Sequence, residues 1–88
     1  MAAMPGHRTI TMYARTRCGL CDEARAVIIA ERDRRGDGFI FEEIAIDGDE
    51  SLERAYGLRV PVVVVDGREE FEFFVDPGSL SLLLDRSL

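Results

Sequence analysis

Two cysteines separated by two residues are the part of this sequence whose residue types and spacing could carry out chemistry. Cys18 and Cys21 are the only cysteines in the 88-residue chain. This spacing is typical of a redox pair that alternates between dithiol and disulfide states. The pair lies between a β-like segment and an amphipathic segment, so we expect it where a strand ends and a helix begins. A separation of about one helical turn also favours a disulfide within one chain.

A position at the start of a helix predicts different roles for the two sulfurs. A helix that begins near Cys18 directs its unpaired backbone N–H groups and its positive dipole end at that sulfur. Both stabilise a thiolate and can lower a cysteine pKa from about 8.5 to roughly 3.5–7.5. Arg15 and Arg17 add positive charge, whereas Asp22 next to Cys21 favours the protonated thiol there. We therefore expect Cys18 to be the nucleophile and Cys21 the resolving cysteine.

The composition is that of a single acidic globular domain. Hydrophobic residues make up 47% of the chain and charged residues 32%, which excludes a disordered protein. The formal net charge of −6 makes nucleic acid and anionic membrane surfaces unsuitable partners. We expect a flexible tail at 1–7 without a signal peptide, followed by a soluble, cytoplasmic and monomeric domain at 8–88. A reducing cytoplasm argues against a permanent crosslink, which leaves redox or metal chemistry for the cysteines.

The hydrophobic pattern changes its period along the first half of the chain. Alternation of apolar and polar residues predicts a strand over 8–14. Steps of three and four residues then predict a helix from 21 to about 34, which Gly36 ends. The charged cluster at 31–35 has mixed signs, which indicates a solvated helix end rather than a basic binding patch. The apolar stripe of this helix consists of Cys21, Ala24 and Ile28.

Turn and capping residues bound the elements of the second half. These elements are a strand at 39–46, a helix at 50–56 capped by Asp49, strands at 62–65 and 70–75, and a last helix that 76–79 starts and that continues over 80–84. The uninterrupted β-branched segment 62–65 favours a central strand buried on both faces, and Asp66 with Gly67 is a two-residue hairpin signal. The order β-α-β-α-β-β-α predicts an α/β protein with a four-stranded mixed sheet and helices on both faces. This is the thioredoxin fold in its smallest form.

With the redox pair on that topology, the chain resembles the glutaredoxin-like branch of the thioredoxin superfamily over nearly its whole length. Arg15 stands where glutaredoxins have a basic residue three positions before the first cysteine. Cys18 and Cys21 match the nucleophilic and resolving cysteines of the family. Val60 and Pro61 match its valine and cis-proline at the start of the third strand. The resemblance implies a cis bond there, and a free backbone edge at Val60 that pairs with an extended thiol substrate.

Three departures from the family pattern concern substrate binding. Gly19 and Leu20 replace the usual proline and aromatic residue between the cysteines. Arg59 replaces the threonine that precedes valine and proline. The Gly-Gly pair that follows the fourth strand of glutaredoxins and helps to seat glutathione is missing from 71–76. The sequence therefore supports thiol chemistry well and glutathione binding poorly.

The sequence as a whole predicts a dithiol–disulfide oxidoreductase that acts on a disulfide-containing protein or a small thiol. The residues expected to bind this substrate are Arg15, Arg59, Val60 and Pro61. No cofactor is expected beyond the redox-active disulfide, and glutathione or another low-molecular-weight thiol stays open as co-substrate. No metal is expected, because tetrahedral zinc needs four ligands and the chain offers two cysteines and one distant histidine. The alternative is a non-catalytic thioredoxin-fold binding module whose cysteines are incidental or regulatory.

Overall fold

Four strands form one mixed sheet in the computed structural model, which describes residues 8–36 and 38–86. The strands are β1 at Arg8–Ala14, β2 at Phe39–Ala45, β3 at Val62–Val65 and β4 at Arg68–Glu72, in the spatial order β2-β1-β3-β4. β1 is parallel to β2 and antiparallel to β3, and β3 is antiparallel to β4. The predicted fold and element order are confirmed. The tail expected at 1–7 lies outside the described residues.

Three helices connect and cover these strands: α1 at Gly19–Arg35, α2 at Glu50–Tyr56 and α3 at Pro77–Asp85. α1 begins directly after Cys18, as the sequence predicts, and its apolar stripe starts two residues later at Cys21. α3 begins at Pro77, within the segment 76–79 that is predicted to start it, and ends at Asp85. Asp49 caps α2 as expected, with its carboxylate accepting a backbone N–H at 3.0 Å. Within 8–36 and 38–86, none of the helices combines the length and the apolar character needed to cross a membrane.

The main apolar core lies on the sheet face that α1 and α3 cover. Ile10 and Met12 of β1 are fully buried there, as strand alternation predicts. The members of this core from the two helices are Cys21, Ala24, Ile28, Leu80 and Leu84. The apolar stripe predicted for α1 is therefore confirmed. This packing holds α1 against β1 and thereby positions both cysteines.

The opposite sheet face is covered by α2 through an aromatic pair. Tyr13 alternates with the core residues of β1, so its side chain lies on the other face. Its ring stacks on Tyr56 of α2, with centroids 4.1 Å apart and planes 14° from parallel. Val62, directly opposite Tyr13 in register, is fully buried. No residue of α2 is buried, Tyr56 included. This short helix is therefore held by a few specific contacts.

The fourth strand begins and ends earlier than the sequence predicts. It covers Arg68–Glu72 rather than 70–75. It begins early because the two-residue turn before it places Arg68 directly opposite Val65 in register. It ends early because the chain makes a tight turn at Phe73, whose φ is 69°. The N–H that follows Phe73 donates to the carbonyl that precedes it, at 2.7 Å.

The charged cluster at the end of α1 is not the solvated helix end that its mixed signs predict. Glu31 is only 6% exposed, and its carboxylate accepts hydrogen bonds from Arg34 and Arg35. Arg35 continues to α3, where it donates to the Asp85 carboxylate at 2.6 Å and to the Ser81 carbonyl at 3.0 Å. The hydrogen bond from Arg34, supported by that from Arg35, lowers the pKa of Glu31 despite its burial. The cluster joins α1 to α3. This contact could not be predicted from the neighbouring residues in the sequence, because α3 is far away along the chain.

The first prediction concerns this junction in the oxidised protein. Glu31→Gln should lower the free energy of unfolding by about 1.5–3 kcal/mol, the usual range for a hydrogen bond to a charged group. Glu23→Gln, at an exposed position of the same helix, is the matched control and should change it little. Urea unfolding at neutral pH measures both variants. Equal losses in the two variants would contradict the structural role of Glu31.

The same comparison has a defined pH dependence. Folding lowers the pKa of Glu31 below its ordinary value of 4.5, so the folded state binds fewer protons than the unfolded state. The stabilisation is therefore complete above pH 4.5 and is lost as the pH falls through the lower, folded-state pKa. The difference in unfolding free energy between the parent and Glu31→Gln should shrink in acid accordingly.

Candidate active site

Cys18 and Cys21 lie where β1 ends and α1 begins. They form a disulfide within the chain, with Cα atoms 5.1 Å apart, which confirms the expected intrachain pairing. Cys18 is the N-cap residue of α1, and its sulfur accepts the backbone N–H of Cys21 at 3.0 Å. Cys18 is half-buried, whereas Cys21 is fully buried. The sulfur of Cys18 is therefore the one that an incoming molecule can reach.

The carboxylate beside Cys21 forms an ion pair within α1. Asp22 accepts a hydrogen bond from Arg25, one turn along α1, at 2.7 Å. Arg25 also binds Glu43 of β2 through two N–H groups. Hydrogen bonds to Glu43 and Asp22 raise the pKa of Arg25, which keeps it positively charged. A cation shared with Glu43 therefore lies against the negative charge that sequence analysis places beside the cysteine pair.

Arg15 is bound by residues of its own chain. Its guanidinium donates two hydrogen bonds to Glu53 of α2, at 3.0 and 2.8 Å, and one to the Gly57 carbonyl at 2.9 Å. Asp47 lies 3.9 Å away. The hydrogen bonds to Glu53 raise the pKa of Arg15. The predicted binding of substrate by Arg15 therefore has to compete with Glu53.

The loop between β1 and α1 is also tied to the turn that precedes α2. Thr16 donates its backbone N–H to the Asp47 carboxylate at 2.8 Å, and its hydroxyl donates to the same oxygen. These hydrogen bonds from Thr16 lower the pKa of Asp47. Arg17, next in the chain, is exposed and has a φ of 58°. Sequence analysis missed Asp47 and Glu53, because only the fold brings their carboxylates to this loop.

The second structural component of the site is the segment before β3. The Val60–Pro61 peptide bond is cis, as the family resemblance implies. Because β3 runs antiparallel to β1 with Val62 opposite Tyr13, the start of β3 lies at the sheet edge where β1 ends. Val60 and Cys18 are both half-buried and pack against the same apolar core. Within 8–36 and 38–86, the backbone N–H and C=O of Val60 form no hydrogen bond with another backbone group.

Arg59, which directly precedes the cis bond, is held on three sides. Its guanidinium donates to Glu69 at 2.9 Å and Glu72 at 3.1 Å on β4. It also donates to the Ala55 carbonyl at 2.9 Å and lies over the Tyr56 ring, 5.6 Å from the centroid. Its hydrogen bond to Glu69 lowers the pKa of that carboxyl group. As with Arg15, the predicted contact with substrate would compete with these partners.

Two phenylalanines follow β4, in the region where glutaredoxins have their glycine pair. The backbone N–H of Phe73 donates to the Pro61 carbonyl at 2.9 Å, so this segment lies against the cis-proline. Phe73 is 38% exposed and Phe74 is 67% exposed. Their side chains add bulk to a surface that a glycine pair leaves open to the backbone of a ligand.

Two solved bacterial proteins are similar to this chain over almost its whole length. Target protein XcR50 from X. campestris is 40% identical, with a TM-score of 0.70, and the match covers 86% of this chain and 95% of that one. Protein Ne2328 from Nitrosomonas europaea is 30% identical, with a TM-score of 0.76, and the match covers 97% of this chain and 100% of that one. No curated protein matches the chain.

More distant structures agree on the fold. The germline-specific thioredoxin Deadhead from Drosophila melanogaster is 20% identical over 91% of this chain and 80% of its own, with a TM-score of 0.62. At this identity the similarity concerns the fold alone. The family described as Glutaredoxin-like domain (DUF836) matches residues 9–85, which span both cysteines, the cis-proline and all three helices. The chain therefore belongs to the glutaredoxin-like family of the thioredoxin superfamily.

Proposed function

We propose that this protein is a dithiol–disulfide oxidoreductase that reduces disulfides through Cys18 and Cys21. The observation that carries the proposal is the asymmetry of the two sulfurs at the start of α1. The sulfur of Cys18 is accessible and accepts a backbone N–H, whereas that of Cys21 is buried one turn further into the helix. A nucleophile needs the first environment, and a resolving thiol that must wait for the mixed disulfide needs the second.

The reaction proceeds by two thiol–disulfide exchanges. The thiolate of Cys18 attacks one sulfur of the substrate disulfide, whose S–S bond breaks. The leaving sulfur departs as a thiolate and takes a proton from solvent, while Cys18 stays joined to the other substrate sulfur. The thiol of Cys21 then loses its proton and attacks Cys18, which releases the second substrate thiol and forms the Cys18–Cys21 disulfide. Two electrons have passed to the substrate, and an external thiol or dithiol reductant restores the dithiol.

Two features support thiolate formation at Cys18. The Cys21 N–H that donates to this sulfur, together with the α1 dipole, favours negative charge at the helix start. The ion pair between Asp22 and Arg25 reduces the opposing negative potential of the Asp22 carboxylate. The thiolate is thus stabilised by the backbone of α1 and is only weakly opposed by its acidic neighbour.

The surroundings favour disulfides of proteins over mixed disulfides of glutathione. Glutathione presents two carboxylates, yet Arg15 and Arg59 are already bound to carboxylates of the protein itself. Phe73 and Phe74 replace the glycine pair that seats glutathione in related proteins. An extended segment of a protein substrate needs only the unpaired backbone edge at Val60 and an apolar surface beside it.

The second prediction tests the roles of the two sulfurs. In Cys21→Ser, the remaining Cys18 thiol should react with iodoacetamide at neutral pH, because the positive end of α1 stabilises its thiolate. In Cys18→Ser, the remaining Cys21 thiol should react only at a higher pH, because it is buried. Mass spectrometry of labelling against pH measures both variants. Labelling of Cys18 only above neutral pH would contradict the assignment and would favour the non-catalytic binding module.

The third prediction concerns substrate choice. Reduction of insulin disulfides should proceed readily, whereas deglutathionylation of a model mixed disulfide should be slower than with an ordinary glutaredoxin by at least about fivefold. This follows from the loss of two or three ligand hydrogen bonds worth about 0.5–1.5 kcal/mol each. Parallel assays of the two reactions with both enzymes provide the measurement. Deglutathionylation equal to the reference enzyme would contradict it.

A matched variant sharpens the same test. Phe73→Gly combined with Phe74→Gly restores a glycine pair at the end of β4. Because Phe73 has a φ of 69°, glycine fits its backbone conformation without strain. The variant should gain deglutathionylation relative to the parent while its reduction of insulin stays the same or falls. A loss of both activities would point instead to a general role of the two phenylalanines.

A further inference from the structure

A salt bridge joins the segment before the disulfide to the segment before the cis-proline. Arg15 is the first residue after β1 and binds Glu53 of α2 with two hydrogen bonds, at 3.0 and 2.8 Å. Its Nη2 atom also donates to the carbonyl of Gly57, the residue that ends α2, at 2.9 Å. We call this group of Arg15, Glu53 and Gly57 the Arg15 clamp.

Gly57 of the clamp lies where a side chain would clash with its neighbours. Gly57 has a φ of −53°, which any amino acid adopts, so its backbone conformation does not call for glycine. A Cβ atom at this position would lie 3.0 Å from Oε1 of Glu53 and 3.2 Å from Nη2 of Arg15. It would also lie 2.4 Å from the Glu53 carbonyl oxygen. The tightest of these contacts is with backbone, so the close approach of the Glu53 carbonyl explains the glycine, and the two clamp side chains leave little further room.

Apolar packing contributes little to the position of the chain between α2 and Val60. No residue of α2 is buried, and Leu58, which follows the clamp, is 94% exposed. Polar anchors act instead, with the clamp holding Gly57 and the ion pairs to β4 holding Arg59. Val60 follows directly and itself packs against the apolar core, so its place relative to the redox loop depends on these anchors together with that packing.

We propose that Arg15 is a positioning residue that, through Glu53 and Gly57, sets the place of Val60 relative to the sulfur of Cys18. The inference rests on the proposed function, in which a substrate disulfide reaches Cys18 while its backbone pairs with Val60. A reacting group displaced by about 1 Å can lose roughly 100-fold in rate. Arg15 thus acts through the fold rather than by contact with the substrate.

The test compares Glu53→Gln and Arg15→Lys with Glu50→Gln. The first two variants break the forked contact between guanidinium and carboxylate. The third removes the same charge from an exposed position of the same helix, where Glu50 reaches only Arg54 at 4.0 Å. Two disulfides serve as substrates. One is a pair of extended eight-residue peptides joined by a disulfide, and the other is hydroxyethyl disulfide, which is neutral and too small to reach Val60.

The clamp predicts a loss confined to the peptide disulfide. Glu53→Gln and Arg15→Lys should each lower its second-order rate constant by roughly tenfold to 100-fold. The double variant should be no slower than the worse single variant, because the two residues act as one unit. Rates with hydroxyethyl disulfide should stay within about twofold, and Glu50→Gln should match the parent with both substrates.

Other outcomes overturn the inference in distinguishable ways. If Arg15 bound substrate by charge, Glu53→Gln would free it and speed the reduction of peptides with carboxylates beside the disulfide. That result, or unchanged rates with the peptide, overturns the clamp. A parent protein inactive on both disulfides overturns the proposed function instead. The clamp is then decided by amide hydrogen exchange at Gly57 and Arg59, whose N–H groups donate to the carbonyls of Glu53 and Tyr56 at 2.8 Å. Exchange must accelerate in Glu53→Gln but not in Glu50→Gln, and unchanged exchange overturns the clamp.

Discussion

The unpaired backbone N–H groups at the start of α1 are the physical constraint on which the rest of the site depends. A helix start needs an acceptor, and here the acceptor is the sulfur of Cys18. One hydrogen bond thereby begins the helix and places a reactive atom at the positive end of its dipole. The burial of Cys21 against the core holds the helix, and the end of β1 holds the loop. The redox pair is thus a product of ordinary helix and strand packing.

Arginine bridges between elements supplement a core of modest size. Arg25 joins α1 to β2, Arg35 joins α1 to α3, Arg15 joins the redox loop to α2, and Arg59 joins the cis-proline segment to β4. The forked geometry of guanidinium suits such contacts, because one side chain binds two or three acceptors at once. All eleven basic residues of the chain are arginine. In this acidic protein the bridges also occupy arginine side chains that could otherwise bind a ligand with carboxylates.

The two sides of the site differ in how they are held. α1 lies against the apolar core and rests on burial, whereas α2 and the segment after it rest on an aromatic stack and ion pairs. Under the proposed function, rigid packing suits the sulfur of Cys18, which must keep one position. Polar anchoring suits the edge that is proposed to receive the substrate, because its position is then set by a few specific contacts at the surface. The cis peptide bond between Val60 and Pro61 lies on this second side.

The sequence by itself determined the element order, the redox pair and the difference between its two sulfurs. These features are local, since they follow from alternation, helical periodicity, capping residues and the position of Cys18 at a helix start. The tertiary structure decided which charges meet. Glu31 lies among charged residues that predict a solvated surface, yet it is buried, and its partner Arg35 reaches α3. Arg15 and Arg59 are predicted to bind substrate from their positions before Cys18 and Pro61, and the fold pairs them with Glu53 and Glu69. Ion pairs depend on residues far apart in the chain, and only packing determines their partners.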